Sequence, residues 1–146
     1  MNSFDFDQIF NEYPKISFLF LYIIISFSIS LGGWGTLTKQ YANRSPFKGK
    51  RFFFASCSIG SFTHYRSRLI MGSNENGLYL AALLPFRIGH PPLFIPWSDI
   101  VVKLKKGVIF SDASFDFSKC PEIIFEISKS LAEKLAKESG GNLKLE

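Results

Sequence analysis

Between Ile16 and Trp34 the chain runs nineteen residues without a charge, ISFLFLYIIISFSISLGGW. Eleven positions from Ile16 to Leu31 are Ile, Leu or Phe, and they fall on every side of a helical wheel. A helix that is apolar all round needs an apolar environment, and a chain of 146 residues has no core deep enough to surround it. At roughly 1.5 Å per residue it would reach about 28 Å, close to the thickness of a bilayer's hydrocarbon. The pattern predicts one transmembrane helix over residues 16–34. The segment before it, residues 1–15, carries Asp5, Asp7 and Glu12 against Lys15 alone, unlike the basic start of a cleavable signal peptide. Its Phe4, Phe6, Ile9, Phe10 and Tyr13 suggest an amphipathic turn or two at the outer interface.

Past the span the pattern changes twice. Residues 35–49 read as a helical extension and a juxtamembrane linker, broken at Asn43, Arg44, Ser45 and Pro46, because the residue before a proline avoids helical dihedrals. From Arg51 the period becomes two, the signature of strands. Arg51–Ile59 is one strand. In Tyr65–Gly72, Tyr65, Ser67, Leu69 and Met71 share a face. Asn76-Gly77 is a hairpin signal leading into Leu78–Leu84. Pro85–Pro92 is a loop, Leu93–Ile95 a short strand, and Pro96 belongs at a sheet edge or a strand end. Trp97–Lys105 has Ile100, Val102 and Leu104 inward, Lys106-Gly107 turns the chain, and Val108–Phe117 follows as a strand or tight pair. Ile123, Phe125 and Ile127 then point inward from Glu122–Ile127. A closing helix over Ser128–Glu138 has Ser130 and Glu133 at capping-box spacing and stops at Gly140 and Gly141. A helix this short is not stable alone, so its leucines must dock on the sheet. The fold class is mainly β with α: a span, then an antiparallel barrel or sandwich of about seven strands over residues 50–141 with a C-terminal helix, and a tail at 142–146.

Charge adds direction. Lys39, Arg44, Lys48, Lys50 and Arg51 follow the span with no acid among them, against the single Lys15 before it. Basic flanks stay on the cytoplasmic side, so the expected localisation is the inner (plasma) membrane, single-pass, N-terminus outside and domain inside. Tyr13, Trp34 and Tyr41 sit where aromatic rings favour the headgroup layer. Past Gly35 sixteen basic residues face nine acidic ones. A basic domain under an anionic leaflet gains about 1 kcal/mol per Lys or Arg near it, and Lys48, Lys50, Arg51, Arg66, Arg68, Lys103 and Lys105 are the candidate contacts to anionic lipid or a partner. The same charge comes with no recognised nucleic-acid motif.

A meander of strands closed by one helix carries GLYL at Gly77–Leu80, LFIPWSDI at Leu93–Ile100, and the closing ISKSLAEKLAKESGG. This order and these residues resemble the pleckstrin-homology-like superfold and, within it, bacterial PH-like and GRAM domains. The resemblance covers roughly Lys50–Gly141 and implies a binding or scaffold domain without a catalytic signature. The corner has its own physics: Pro96 ends ladder pairing, Trp97 fills the core and Asp99 accepts hydrogen bonds from turn amides.

Candidate chemistry is sparse. His64 and His90 lack the spacing of metal ligands, and two cysteines, Cys57 and Cys120, do not make a zinc site. Only Lys119 stands near a thiol as a source of activation, so both cysteines read as buried and inert. No catalytic, metal or cofactor site is expected. The partners expected are the bilayer and, as an alternative, a membrane complex to which the chain is an accessory subunit. Ser26 and Ser30, four apart on the span, would serve that packing.

Overall fold

A computed structural model of the chain describes residues 6–30, 32–60, 63–84, 86–106 and 111–146. In chain order these form α1 (Phe6–Glu12), α2 (Pro14–Ser30), α3 (Gly33–Tyr41), β1 (Lys50–Ile59), β2 (Thr63–Ser73), β3 (Gly77–Ala82), β4 (Leu93–Pro96), a 3-10 turn (Trp97–Asp99), β5 (Ile100–Lys106), β6 (Ser111–Phe117), β7 (Cys120–Ser128) and α4 (Lys129–Glu138). The protein is mainly β with α. Seven antiparallel strands in the order β4-β3-β2-β1-β7-β6-β5 make one curled sheet, a half-barrel, followed by the C-terminal helix. The turn expected at Gly107, the start of the strand expected from Val108, and residues 1–5 lie outside the described residues.

The period-two faces hold along most of the sheet. Ile123, Phe125 and Ile127 are buried on β7, as are Tyr65, Leu69 and Met71 on β2. Ser67 breaks its face and is exposed. The register explains it: β1 and β2 slip between Phe52 and Ala55 and again between Ala55 and Cys57. Phe54 and Ser67 adopt φ of 56° and 51° at these bulges, left-handed positions that cost an L-residue about 1–2 kcal/mol each. Bulges bend a strand and increase its twist. The β1–β7 ladder holds Ser58–Glu126 and Ile59–Phe125, and just beyond it the Gly60 amide donates to the Ile124 carbonyl at 2.7 Å.

The hairpin expected at Asn76-Gly77 is present between β2 and β3, and two other local expectations are corrected. The turn between β2 and β3 is organised by Asn74, whose Oδ1 accepts from the amides of Asn76 (2.8 Å) and Gly77 (3.0 Å). Gly77 is required by proximity, since a Cβ there would stand 2.4 Å from the Ile95 carbonyl. Trp97–Asp99 is a 3-10 turn, not strand, because Trp97 swings in to donate its Nε1 to the Asn74 carbonyl at 2.7 Å. At the start of α4 the cap is Ser128, not Ser130: its hydroxyl accepts from the Leu131 amide.

The larger correction concerns residues 16–49. The expected continuous helix over 16–34 is interrupted, and α2 and α3 are bent from each other by 69°. No single helix among the described residues is long and apolar enough to cross a membrane; the two qualify only as a bent pair. The interruption has two causes. Glycine is a poor helix former, and Gly32 and Gly33 stand at the break. Gly33 also lies so close to β1 that a Cβ would meet Ile59 Cγ2 at 2.2 Å. What was expected to be a helical extension into a linker is α3, whose Trp34, Leu37 and Tyr41 are buried. Their spacing of three and four residues puts them on one helical face. That face packs on β4 and β7, which the sheet order sets well apart, so α3 lies across the concave side. α4 closes the same side through Ala132 and Leu135, against β2, β6 and β7.

Both outer edges of the sheet are occupied. At β4, Ala42 bridges Leu93 and the Asn43 amide donates to the Pro92 carbonyl at 2.9 Å. At β5, Leu145 bridges Val102 in parallel, and the Leu104 amide donates to the Glu146 carbonyl at 2.8 Å. Covered edges remove templates for aggregation.

Trp34 has no exposed surface. Trp34→Ala in the full chain, unfolded by denaturant in a mild detergent, is expected to lose about 3–5 kcal/mol. A loss within about 0.5 kcal/mol, the range of surface substitutions, contradicts a core role for this ring.

Candidate functional site

α2 holds one face to the domain and offers the rest outward. Ile16, Phe18, Leu19, Phe20, Leu21, Ile24, Ile25 and Phe27 are each 45% or more exposed. Water rarely tolerates so large a contiguous apolar surface. Serine hydroxyls within the helix are absorbed by its own backbone: Ser28 donates to the Ile24 carbonyl at 2.8 Å and Ser17 to that of Tyr13 at 3.2 Å. The inward face carries Tyr22, whose ring lies 5.8 Å from that of Phe86, and Ser26, which donates to the Ile88 carbonyl at 3.1 Å. Ser26 is therefore committed to the loop between β3 and β4; the side chain of Ser30 lies outside what is described. Leu84 and Ile88, exposed on that loop, extend the apolar surface of the helix onto the domain.

At the foot of α2, between it, the start of β2 and the same loop, is a cavity of about 210 Å³. Ser26, Thr63, His64, Tyr65, Arg68, Phe86 and His90 line it. His90 is buried against the edge of Trp34, whose Nε1 donates to the Pro91 carbonyl at 3.1 Å. The His90 Nδ1 faces the Ile88 carbonyl at 3.1 Å, so it carries the proton and donates there. Nε2 is then left to accept from the Tyr65 hydroxyl, also at 3.1 Å. Burial pulls the His90 pKa below its ordinary value and pushes that of Tyr65 up. Both groups are neutral at pH 7. His64, by contrast, is exposed, and its Nδ1 shares a hydrogen bond with Ser58 Oγ at 2.6 Å. Arg68 holds its guanidinium 4.8 Å from the Phe86 ring centre, and no carboxylate pairs with it among the described residues. The cavity thus combines one unpaired cation, one exposed imidazole and neutral hydroxyls.

The seven basic positions singled out by charge do not form one patch. Lys103 and Lys105 lie on β5, paired with Asp116 (3.0 Å) and Glu126. Arg66 and Arg68 lie on β2, with β1, β7 and β6 intervening. Arg51 is at the far end of the β1–β2 ladder, opposite Gly72, where it donates to the Phe47 carbonyl and lies over the Phe47 and Tyr79 rings. Lys48 and Lys50 are exposed beside it. Of the aromatic positions expected in the headgroup layer, Tyr13 is 55% exposed, but Trp34 and Tyr41 are core residues at 0% and 4%. The tertiary fold claims them: Trp34 packs on Tyr65 and His90, and Tyr41 on Phe117, with its hydroxyl accepting from the Lys119 amide.

The remaining chemistry is dispersed. Burial raises the Cys57 and Cys120 pKa values, keeping both as thiols. Asp99 sits at the β4–β5 corner. Its backbone carbonyl, rather than its carboxylate, accepts the Ser118 amide, and Lys119 stands 3.8 Å from its Oδ2. Among the described residues no three His, Cys, Asp or Glu side chains gather to hold a metal. Sequence reasoning found Arg68 by its charge but missed Tyr65, Phe86 and Ser26 as its neighbours. They come from three separate elements, and no local spacing announces the cavity.

The lowered His90 pKa makes stability depend on pH. Between its folded value and the unfolded value of about 6.5, the unfolded chain binds more protons. The contribution is complete above about pH 6.5 and is lost as pH falls through the folded value. The melting midpoint is expected to drop between about pH 7 and pH 5, and His90→Gln should flatten that slope; an unchanged slope in the variant removes His90 as its cause. A scan against models of known protein families finds no match, nor does a search of curated proteins, so the functional reading rests on the geometry above.

Proposed function

We propose that the protein is a single-pass, membrane-anchored, non-enzymatic binding or scaffold module that presents its half-barrel to headgroups at the cytoplasmic leaflet. The observation carrying this is the outward face of α2, where eight large apolar side chains stand exposed and uncharged. At seventeen residues α2 reaches about 25 Å, the short end of what spans a bilayer. A short span is accommodated by thinning the bilayer and drawing flanking residues inward. Leu84 and Ile88 are the flanking apolar residues here, tied to the helix through Ser26. The basic residues that follow favour the cytoplasmic side for the domain. The curled sheet and closing helix agree with the element order of PH-like domains, and the cavity with Arg68 and His64 lies at the level where α2 leaves the domain. A role as accessory subunit loses part of its basis, because Ser26 already packs on the protein's own loop.

Phe20 and Ile24 are exposed on α2 and belong neither to the buried core nor to the partly buried side chains packed on it. An aspartate near the centre of a membrane helix costs about 2.5–3.5 kcal/mol. Wild-type protein is expected to stay with membranes through alkaline carbonate washing, while the Phe20→Asp, Ile24→Asp double variant is released with its domain still folded. Release of the wild type overturns the anchor. Added protease should spare the domain in right-side-out vesicles, and digestion there reverses the orientation.

A further inference from the structure

The sheet is covered at its outer edges but opens in its middle. β7 pairs with β1 only at Ser58 and Ile59, so the stretch of β1 from Arg51 to Cys57 has β2 on one side and no strand on the other among the described residues. Opposite that open side stands the first turn of α4. Between them lies a cleft of about 510 Å³, reached by Arg51–Ser56 from β1 and by Ser128, Leu131 and Lys134 from the helix. This is within the size range of ligand clefts. Phe53 and Phe54 are 57% and 69% exposed beside it, and Phe54 is held at its left-handed φ by the bulge. The bulges fall in the same stretch of β1 that lacks a β7 partner.

An unpaired strand edge offers amides and carbonyls that an extended backbone satisfies, here on either side of the bulge at Phe54. Side chains of such a backbone would alternate between the phenylalanines and solvent. Charge selects among extended segments. Lys134 is exposed on the helical wall, and among the described residues it has no ion pair and no carboxylate lines the cleft; the Arg51 guanidinium is turned to the Phe47 carbonyl and the Phe47 and Tyr79 rings. A second copy of the chain, added edge to edge through β1, would set one Lys134 against another with no carboxylate in the described cleft to receive it. A flat bilayer surface would leave the strand amides unpaired. We propose that the cleft between β1 and α4 takes an extended, acidic and apolar segment of a partner protein, which adds as a strand to the open edge of β1.

This goes beyond membrane anchoring and is testable without it, since the cleft involves no residue of α2. The probe is a fluorescent peptide of alternating Glu and Val or Phe, titrated against the full chain in a neutral detergent. Anisotropy should give saturable binding, and hydrogen exchange at residues 51–56 should slow. N-methylation of alternate peptide amides along one edge should weaken binding about tenfold or more, and methylation along the other edge should not. Lys134→Glu, at an exposed position, should weaken the acidic peptide and favour its Lys-containing counterpart. Absence of binding overturns the proposal. So does binding indifferent both to the methylated edge and to Lys134→Glu, which would indicate apolar adsorption only. A peptide-free dimer with protected 51–56 overturns it in favour of a second copy, and protection of 51–56 by anionic vesicles alone overturns it in favour of lipid.

Discussion

Trp34 joins two parts of the chain with opposite preferences. Before it is a helix that avoids water on nearly every side; after it is a sheet that needs a lid. Its indole is buried, its Nε1 donates to the Pro91 carbonyl, and its ring meets Tyr65 and His90. Those contacts fix the helix α3 across the concave side and hold the β3–β4 loop in place. The loop then receives α2 through Ile88 and Phe86. One buried ring thus ties α3 to the loop on which α2 packs. Buried polar groups need partners to be tolerated, and here the indole, the imidazole and the phenol each have one.

Curling has a second consequence. The strands of the curled sheet do not all keep register: β6 and β7 slip once, between Phe115 and Phe117, and β1 and β2 slip twice. The bulges at Phe54 and Ser67 take up the bend. β1 is paired to β7 at one end and open at the other. The same strand that completes the core at Ala55, Cys57 and Ile59 therefore exposes Phe53 and Phe54. A residue pattern that looks like a uniformly apolar strand is divided by its backbone into a core half and a surface half.

Electrostatics follows the fold more than the composition. The excess of basic residues is spread over distant strands, and carboxylates of β6 and β7 pair with Lys103 and Lys105 on β5. Arg68, beside the foot of α2, and Lys134, beside the open edge of β1, are cations without such partners among the described residues. Exposed ion pairs contribute little to stability. Their effect here is to set a carboxylate beside two of the candidate charges.

Several features were legible in the residues alone, because short-range physics decides them. The strands of β2, β5 and β7 follow from alternation, Pro96 at an edge strand from its missing amide, and the closing helix from its leucine stripe and two glycines. The water-avoiding character of α2 follows from composition. The end of that helix did not follow, because an apolar run has the same appearance whether it continues straight or bends at Gly32 and Gly33. Trp34 and Tyr41 had the composition of interface anchors and the spacing of a core face; only the concave side of a curled sheet, built from residues far along the chain, made them core. The cavity with Tyr65, Arg68 and His90 and the open edge of β1 are likewise products of tertiary structure. Each depends on where distant elements come to lie, and a local pattern carries no record of that.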